Sequence, residues 1–344
     1  MRYKFFVNSL KTWEAMFEAI KNAQRSVYLE MYILEENTPP FDFLNLLQTK
    51  ARNGLRVIII LDSYGSADLD KSSVVALRES GAEVLFHSSF LHRAHRKILI
   101  VDENVAFVGG VNLSPRFKLW NDLAVEVRSI RLVRHIINSF AKAYTACGGK
   151  NSFILAQNKK IILNKMRSWL VEHFPLRKNL TLKKIYKEHL GKAKENIILV
   201  TPYFMPRRWL IGLLHQAVLR GVKVEVLVPK TTDHFIVDRV DYFFMFKLSK
   251  LGVNFLLEPQ MNHAKAMIVD GREGMVGSNN LDFISFELNS EVGIFFKDVG
   301  AVRRLLEIVN VWKKDAVLFD FKAFKPTLFD RFLSPVIRIF FRII

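Results

Sequence analysis

Two short stretches of the chain carry the same set of reactive side chains. The first, HRAHRKILIVDENVAFVGGVN, spans residues 92–112, and the second, NHAKAMIVDGREGMVGSNN, spans 262–280. Each sets a histidine two residues ahead of a lysine: His95 with Lys97, and His263 with Lys265. Seven residues beyond each histidine stands an aspartate, Asp102 or Asp270. A small residue follows at fifteen (Gly110, Ser278) and an asparagine at seventeen (Asn112, Asn280). Carboxylates recur further on, Asp122 at an offset of 27 and Glu291 at 28. One His-x-Lys alone would read as an exposed strand end; two, with the same residues downstream of both, read as machinery.

Side chains two apart on a strand project to the same face, so each histidine and lysine pair points together while Arg96 and Ile98 point away. The odd offset of Asp102 and Asp270 turns them to the opposite face. Within the six-residue motif set they are therefore expected to hold structure rather than touch substrate. Gly110 and Ser278, with Asn112 and Asn280, are expected to let backbone and amide donors approach an anion. A carboxylate bonded to an imidazole Nδ1, the expected part of Asp122 and Glu291, fixes the tautomer and raises basicity. With the halves face to face, the site holds two imidazoles, two ammonium groups and two amides. No cysteine pair or carboxylate cluster is at hand for a metal, and no cofactor is expected. The set suits phosphodiester transfer: one neutral histidine attacks phosphorus, and the other, protonated, donates to the leaving alcohol and later deprotonates the incoming one. The lysines and asparagines stabilise charge on the equatorial oxygens.

The elements that must position these groups are themselves duplicated. His95 and His263 lie 168 residues apart, and KARNGLRVIIILDSYGS (50–66) echoes AVLRGVKVEVLVPKTTD (217–233). Gly54 precedes His95 by 41 residues and Gly221 precedes His263 by 42. A period this long marks duplicated domains rather than a solenoid. Helical patterns alternate with apolar runs at 27–34, 56–62, 83–88, 97–102, 105–109 and 123–128, then at 196–203, 223–228, 253–257, 265–269, 273–276 and 291–296. This alternation predicts an α/β layered fold with mixed sheets, since the later strands of each half are too close together for helical crossovers. The expected division is an N-terminal domain at 1–148, a linker at 149–179, a C-terminal domain at 180–315 and a basic amphipathic tail at 316–344. His87 and His92 are candidates for the same cleft; His135, His173, His189 and His215 fall in helical patterns as surface or packing residues.

Composition narrows the partners. Lys and Arg number 51 against 33 Asp and Glu, a formal net charge of +18. That balance favours an anionic partner: a phospholipid surface, a phosphorylated substrate or nucleic acid. The single cysteine, Cys147, excludes an internal disulfide and fits a reducing compartment. The opening MRYKFFVNSLKTWEAMFEAI lacks the uninterrupted apolar core of a signal peptide, and charges break every run that might span a membrane.

The twofold His-x-Lys-x4-Asp motif, followed by a Gly-Gly or Gly-Ser and asparagine turn, resembles the phospholipase D superfamily over roughly residues 10–300. The resemblance implies two αβα sandwich domains related by a pseudo-twofold, with the active site at their interface. It also implies His95 as nucleophile and His263 as general acid and base. LDSYGSADLD (61–70), TPYFMP (201–206), TDHFIVDRV (232–240) and GSNNLDFISFELNSE (277–291) resemble bacterial cardiolipin synthases in particular. Phe283-Ile284 departs from the aromatic-Arg pair usual there, Asp122 replaces a common glutamate, and the peripheral type, without the two N-terminal membrane spans of the longest subgroup, is expected. The implied reaction moves a phosphatidyl group from phosphatidylglycerol through a phosphohistidine to a second phosphatidylglycerol. The implied place is the cytoplasmic face of a bacterial membrane, peripherally bound. In the tail, Arg331, Arg338 and Arg342 share one face if it is helical, which reads as an interfacial segment interrupted by Pro335. Three alternatives stand beside this reading: a hydrolytic phospholipase D, a metal-independent nuclease of the superfamily, and a catalytically dead binding module. TPYFMP and the apolar tail favour lipid over nucleic acid.

Overall fold

The computed structural model describes residues 3–36, 38–89, 92–159, 167–175, 179–325 and 327. The first half runs β1 (Tyr3–Asn8), α1 (Ser9–Lys21), β2 (Ser26–Met31), α2 (Phe43–Arg52), β3 (Arg56–Asp62), α3 (Lys71–Glu79), β4 (Glu83–His87), β5 (Ile98–Val101), β6 (Val105–Gly109), β7 (Asn121–Val127) and α4 (Ile130–Ala146). A short α5 (Ser152–Leu155) leads to the second half. That half runs β8 (Ser168–His173), α6 (Thr181–Lys192), β9 (Asn196–Val200), α7 (Arg208–Leu219), β10 (Lys223–Pro229), α8 (Phe235–Ser249), β11 (Asn254–Glu258), β12 (Ala266–Val269), β13 (Glu273–Gly277), α9 (Phe283–Glu287), β14 (Glu291–Phe296) and α10 (Val299–Lys313). Each strand expected from the apolar runs is present, and the fold class is the expected α/β pair of mixed sheets.

The two sheets repeat one topology. The first has the order β1-β7-β6-β5-β2-β3-β4; the second runs β11-β10-β9-β12-β13-β14-β8, with the two-residue β15 (Val317–Leu318) added beyond β11. In each, three strands pair in parallel through helical crossovers and the rest are antiparallel. The edge strand β8 pairs with β14 as β1 pairs with β7. The stretch expected as linker therefore contains the opening strand of the second half, and His173, expected on a helix, lies on β8, buried, donating from Nε2 to the Phe286 carbonyl at 3.0 Å. The register of an edge strand is decided by its neighbour, which local periodicity does not reveal.

Strand alternation builds three apolar layers. On β3, Ile58 and Ile60 join a central cluster, while Val57, Ile59 and Leu61 join an outer one with α1, α2 and α3. The second sheet divides likewise: Ile198 and Val200 face the centre, Ile197 and Leu199 the outer helices. The central cluster takes side chains from both sheets and from α4 and α10, so the halves share one core. Part of the expected tail is core as well. β15 pairs with β11, Phe319 is buried, and Phe324 packs on Tyr242 and Phe246. Arg331, Pro335, Arg338 and Arg342 lie outside the described residues.

Asp102 and Asp270 sit in the turns that end β5 and β12, each with φ of 53°. Each carboxylate accepts three backbone N–H groups from the loop entering the neighbouring strand. For Asp102 these are Gln24 (3.0 Å), Arg25 (2.7 Å) and Ser26 (3.0 Å); for Asp270 they are Lys194 (3.0 Å), Glu195 (2.8 Å) and Asn196 (3.0 Å). They pin the far ends of the strands, the holding role that their odd offset predicts. Partial burial raises the Asp270 carboxyl pKa, but the backbone donors outweigh it and hold it below the usual range. The stabilisation is present above the unfolded carboxyl pKa and lost as pH falls through the depressed folded value. Asp270→Asn should cost about 1–2 kcal/mol of stability in urea denaturation. Turnover per folded molecule should stay unchanged; a selective loss of turnover would return Asp270 to the chemistry.

Candidate active site

The histidines lie just before β5 and β12, in bends where each half grips the other. Ala94 bridges to Ser290, and Asn121 to Asn262. Ser290 N–H donates to the Arg93 carbonyl at 2.9 Å, and His263 N–H donates to the Asn121 carbonyl at 2.7 Å. Ala94 N–H also donates to Asp62 at the end of β3 (2.7 Å), and Ala264 N–H to the Asn262 side chain, which is held by Glu258 at the end of β11. These contacts fix the backbone from which the rings project.

The ring partners cross between halves. His95 Nδ1 lies 3.1 Å from both oxygens of Glu291, and His263 Nδ1 lies 2.8 Å from Asp122 Oδ2. A carboxylate accepts, so each Nδ1 carries the proton and each Nε2 keeps its lone pair. Gly110 and Ser278 serve these carboxylates. A Cβ at Gly110 would stand 2.4 Å from Asp122 Oδ1, so glycine alone admits that side chain. Ser278 Oγ donates to Glu291. Their backbone N–H groups bond Leu123 and Val292 carbonyls at 3.0 and 2.9 Å. The expectation that these two positions present donors to an anion is corrected, because the sheet already uses those donors.

His95, His263, Asn112 and Asn280 line one cavity of about 240 Å³. Its walls include residues that the motif offsets do not single out: Tyr32, Phe117, Trp120, Tyr203, Asp233 and Ile284. Tyr32 stands edge-on to His95 at 4.7 Å between centroids; Trp120 lies 5.6 Å from His263 and Tyr203 6.4 Å. Their signal was the apolar-aromatic character of FKLW (117–120) and TPYFMP, legible as pattern but not as position. His87 and His92 lie elsewhere: His87 Nε2 is 3.2 Å from His92 Nδ1, and both line a smaller cavity with Glu30 and Arg96. Among the described residues no group of three or more His, Cys, Asp or Glu side chains could hold a metal ion.

Lys97 and Lys265 are buried behind the rings rather than lining the cavity, each ammonium donating to the carbonyl of its own histidine. Burial drives the Lys97 pKa well below its ordinary value, with repulsion from Lys265 adding to it. Burial also lowers Lys265 to about 7, against the pull of Asp122 and Glu291. His263 falls to about 4 through burial and the Lys265 charge, and His95 is lowered through burial and Lys97. Glu291 is pushed up by burial but held below the ordinary carboxyl value by His95 and Lys97. Burial thus favours the neutral form of all four groups, and an anion brought among them would favour their charged forms.

The family model described as "Cardiolipin synthase, PLD-like domain" matches residues 16–144 and 186–312. The chain is 26% identical to the probable cardiolipin synthase YwiE of Bacillus subtilis (strain 168), over 88% of this chain and 64% of that protein. It is 30% identical to cardiolipin synthase A of Pseudomonas putida (strain KT2440), over 86% of this chain and 65% of that protein. The chain thus spans a little under two thirds of those two relatives. Among solved structures, phosphatidylserine synthase of Haemophilus influenzae Rd KW20 superposes with a TM-score of 0.80 at 14% identity, covering 99% of this chain and 94% of that one. Polyphosphate kinase from Porphyromonas gingivalis gives 0.64 at 13% identity, covering 98% and 53%. At these identities the two structures speak for the fold alone.

The lowered pKa of the buried Lys265 ammonium makes its contribution to stability depend on pH. The unfolded chain holds the Lys265 proton up to about pH 10.4, the folded chain only to about 7. The destabilisation is therefore full below about pH 7 and fades as pH rises toward the unfolded value. Lys265→Met should raise the urea midpoint near pH 7 and lose most of that gain by pH 10, with activity abolished. A midpoint that falls at pH 7 would contradict the assigned charge balance.

Proposed function

The chain belongs to the cardiolipin synthase family of phospholipase D-like proteins, and on that premise we propose that it is a phosphatidyltransferase working through a phosphohistidine. The observation that carries this reading is the pair of crossed imidazole–carboxylate contacts on one cavity. Two rings of fixed tautomer, each with its Nε2 lone pair free, are what a two-step displacement at phosphorus requires.

In the first step His95 Nε2 attacks the phosphorus of phosphatidylglycerol. The P–Nε2 bond forms as the bond from phosphorus to the glycerol oxygen breaks, and His263 Nε2–H supplies the proton to that oxygen. Glu291 stabilises the charge that develops on the His95 ring. The entering anion raises the His263 pKa, so the ring acquires the proton it must give. In the second step His263 Nε2 takes the proton from the free hydroxyl of a second phosphatidylglycerol. That oxygen attacks phosphorus and the P–N bond breaks, giving cardiolipin. Asn112 and Asn280 provide neutral donors at the cavity wall; Lys97 and Lys265 provide positive potential from behind the rings. Phosphatidyl transfer to an alcohol requires that water be limited at the site, and the aromatic walls around the rings would serve that end.

The two halves act as the proposed domains, with β8 assigned to the second. No helix among the described residues is long and apolar enough to cross a membrane. The proposed placement is peripheral, on the cytoplasmic face of a bacterial cell membrane, with anionic phospholipid as partner.

Purified protein incubated with phosphatidylglycerol vesicles should yield cardiolipin and glycerol by lipid mass spectrometry. His95→Ala should reduce this by at least about a thousandfold. With an activated aryl phosphodiester, His263→Asn should accumulate an acid-labile, base-stable phosphoryl group on His95. Phosphatidic acid as the sole product would mean water is the acceptor, and label on His263 would reverse the assigned roles.

A further inference from the structure

Two of the segments that line the cavity lie near His263. On one side Phe117 and Trp120 turn inward to the cavity, while Leu119 between them is 87% exposed. On the other side His234 and Val237 line the cavity, while Phe235 and Ile236, at the start of α8, are 77% and 55% exposed. Cavity-lining and outward residues thus alternate within a few positions in both segments. Neither outward group belongs to an apolar cluster of the core. Large apolar side chains held out at a functional opening mark a contact surface.

We infer that this rim, Leu119 on one side and Phe235 with Ile236 on the other, is the surface that seats on an anionic phospholipid bilayer. The inference rests on the lipid reading of the site and names the face that reading needs. A diacyl phospholipid reaches the buried histidines only if its phosphate leaves the headgroup layer while its acyl chains stay in hydrocarbon. A mouth whose edges dip into the interface meets both demands at once. Three separated side chains are too small a patch for a stable protein interface, but each gains by leaving water for the acyl boundary. Charge complementarity selects the lipid: the chain carries +18, and Lys118 stands beside Leu119. Asp233, the acidic residue between Thr232 and His234, has its carboxylate bonded by the Tyr203 hydroxyl at 2.6 Å.

The test compares the full chain with a Leu119→Asp, Phe235→Asp double variant, in sedimentation with phosphatidylcholine vesicles containing phosphatidylglycerol. The variant should bind about tenfold or more weakly. Turnover of bis(4-nitrophenyl) phosphate, a monomeric soluble diester, should be unchanged within about twofold. Leu119→Trp should keep or strengthen vesicle binding. Unchanged binding by the double variant overturns the inference, as does an equal loss of soluble-diester turnover, which would make these residues part of the cavity's architecture. Binding that depends on Leu119 and Phe235, in a protein that makes no cardiolipin, would sink the proposed reaction and leave the docking surface standing.

Discussion

Each imidazole of the cavity is held by a carboxylate from the opposite half of the chain, and that exchange constrains everything else. His95 is bonded by Glu291 and His263 by Asp122, so neither half contains a complete acid–base unit. The exchange demands that the two sheets meet at their β5–β7 and β12–β14 sides with little freedom, because a charge-assisted contact of about 3 Å tolerates little misplacement. The isolated bridges Ala94–Ser290 and Asn121–Asn262 supply that precision one residue away from the side chains concerned. The common apolar cluster around α4 and α10 supplies the cohesion. A single folded half would lack the carboxylate that decides which ring nitrogen carries the proton.

That geometry is costly in electrostatic terms. Two lysines and two histidines are buried within one cluster, and burial depresses all four pKa values. Buried cations of this kind destabilise a fold unless an anion joins them. Glu291 and Asp122 offset only part, since each is engaged with its ring. The remainder must be carried by the packed layers outside: the β-branched inner strands, the shared central core and the aspartates that pin the far turns. Stability is thus drawn from regions remote from the cavity, and the cavity in turn is left favouring negative charge.

Much of this was legible in the residues. The doubled motif gave the reactive set and the repeat; the β-branched runs gave the inner strands; the odd spacing of Asp102 and Asp270 correctly turned them from the site. The crossing was not legible. Asp122 and Glu291 follow their own histidines at nearly equal offsets, which reads equally well as pairing within a half. Only the packing of one sheet against the other selects the exchange. Gly110 was misread for a related reason: its need is steric, set by an Asp122 carboxyl that local sequence does not place there. The edge strand β8 and its His173 were missed because partners across the sheet, not their own periodicity, make them a strand. The aromatic walls were visible only as composition, since three separate places in the chain deliver them.

The pseudo-twofold is not perfect, and its departures bear on how roles divide under the proposed chemistry. Glu291 meets His95 through both oxygens and is itself bonded by Ser278; Asp122 meets His263 through one, in space that Gly110 vacates. The longer, doubly engaged carboxylate clamps the His95 ring, which suits a nitrogen that must hold a covalent phosphoryl group without drifting. His263 lies among Phe117, Trp120 and Tyr203, whereas among the described residues Tyr32 alone makes a ring contact with His95. Such walls disfavour a free charge on His263, consistent with its pKa near 4, and make its protonation conditional on an anion being present. A general acid that charges only when substrate arrives is active when there is a leaving group to protonate and silent otherwise. Under the proposed chemistry the division of labour thus follows from unequal surroundings, since the His-x-Lys-x4-Asp residues themselves are the same in both copies.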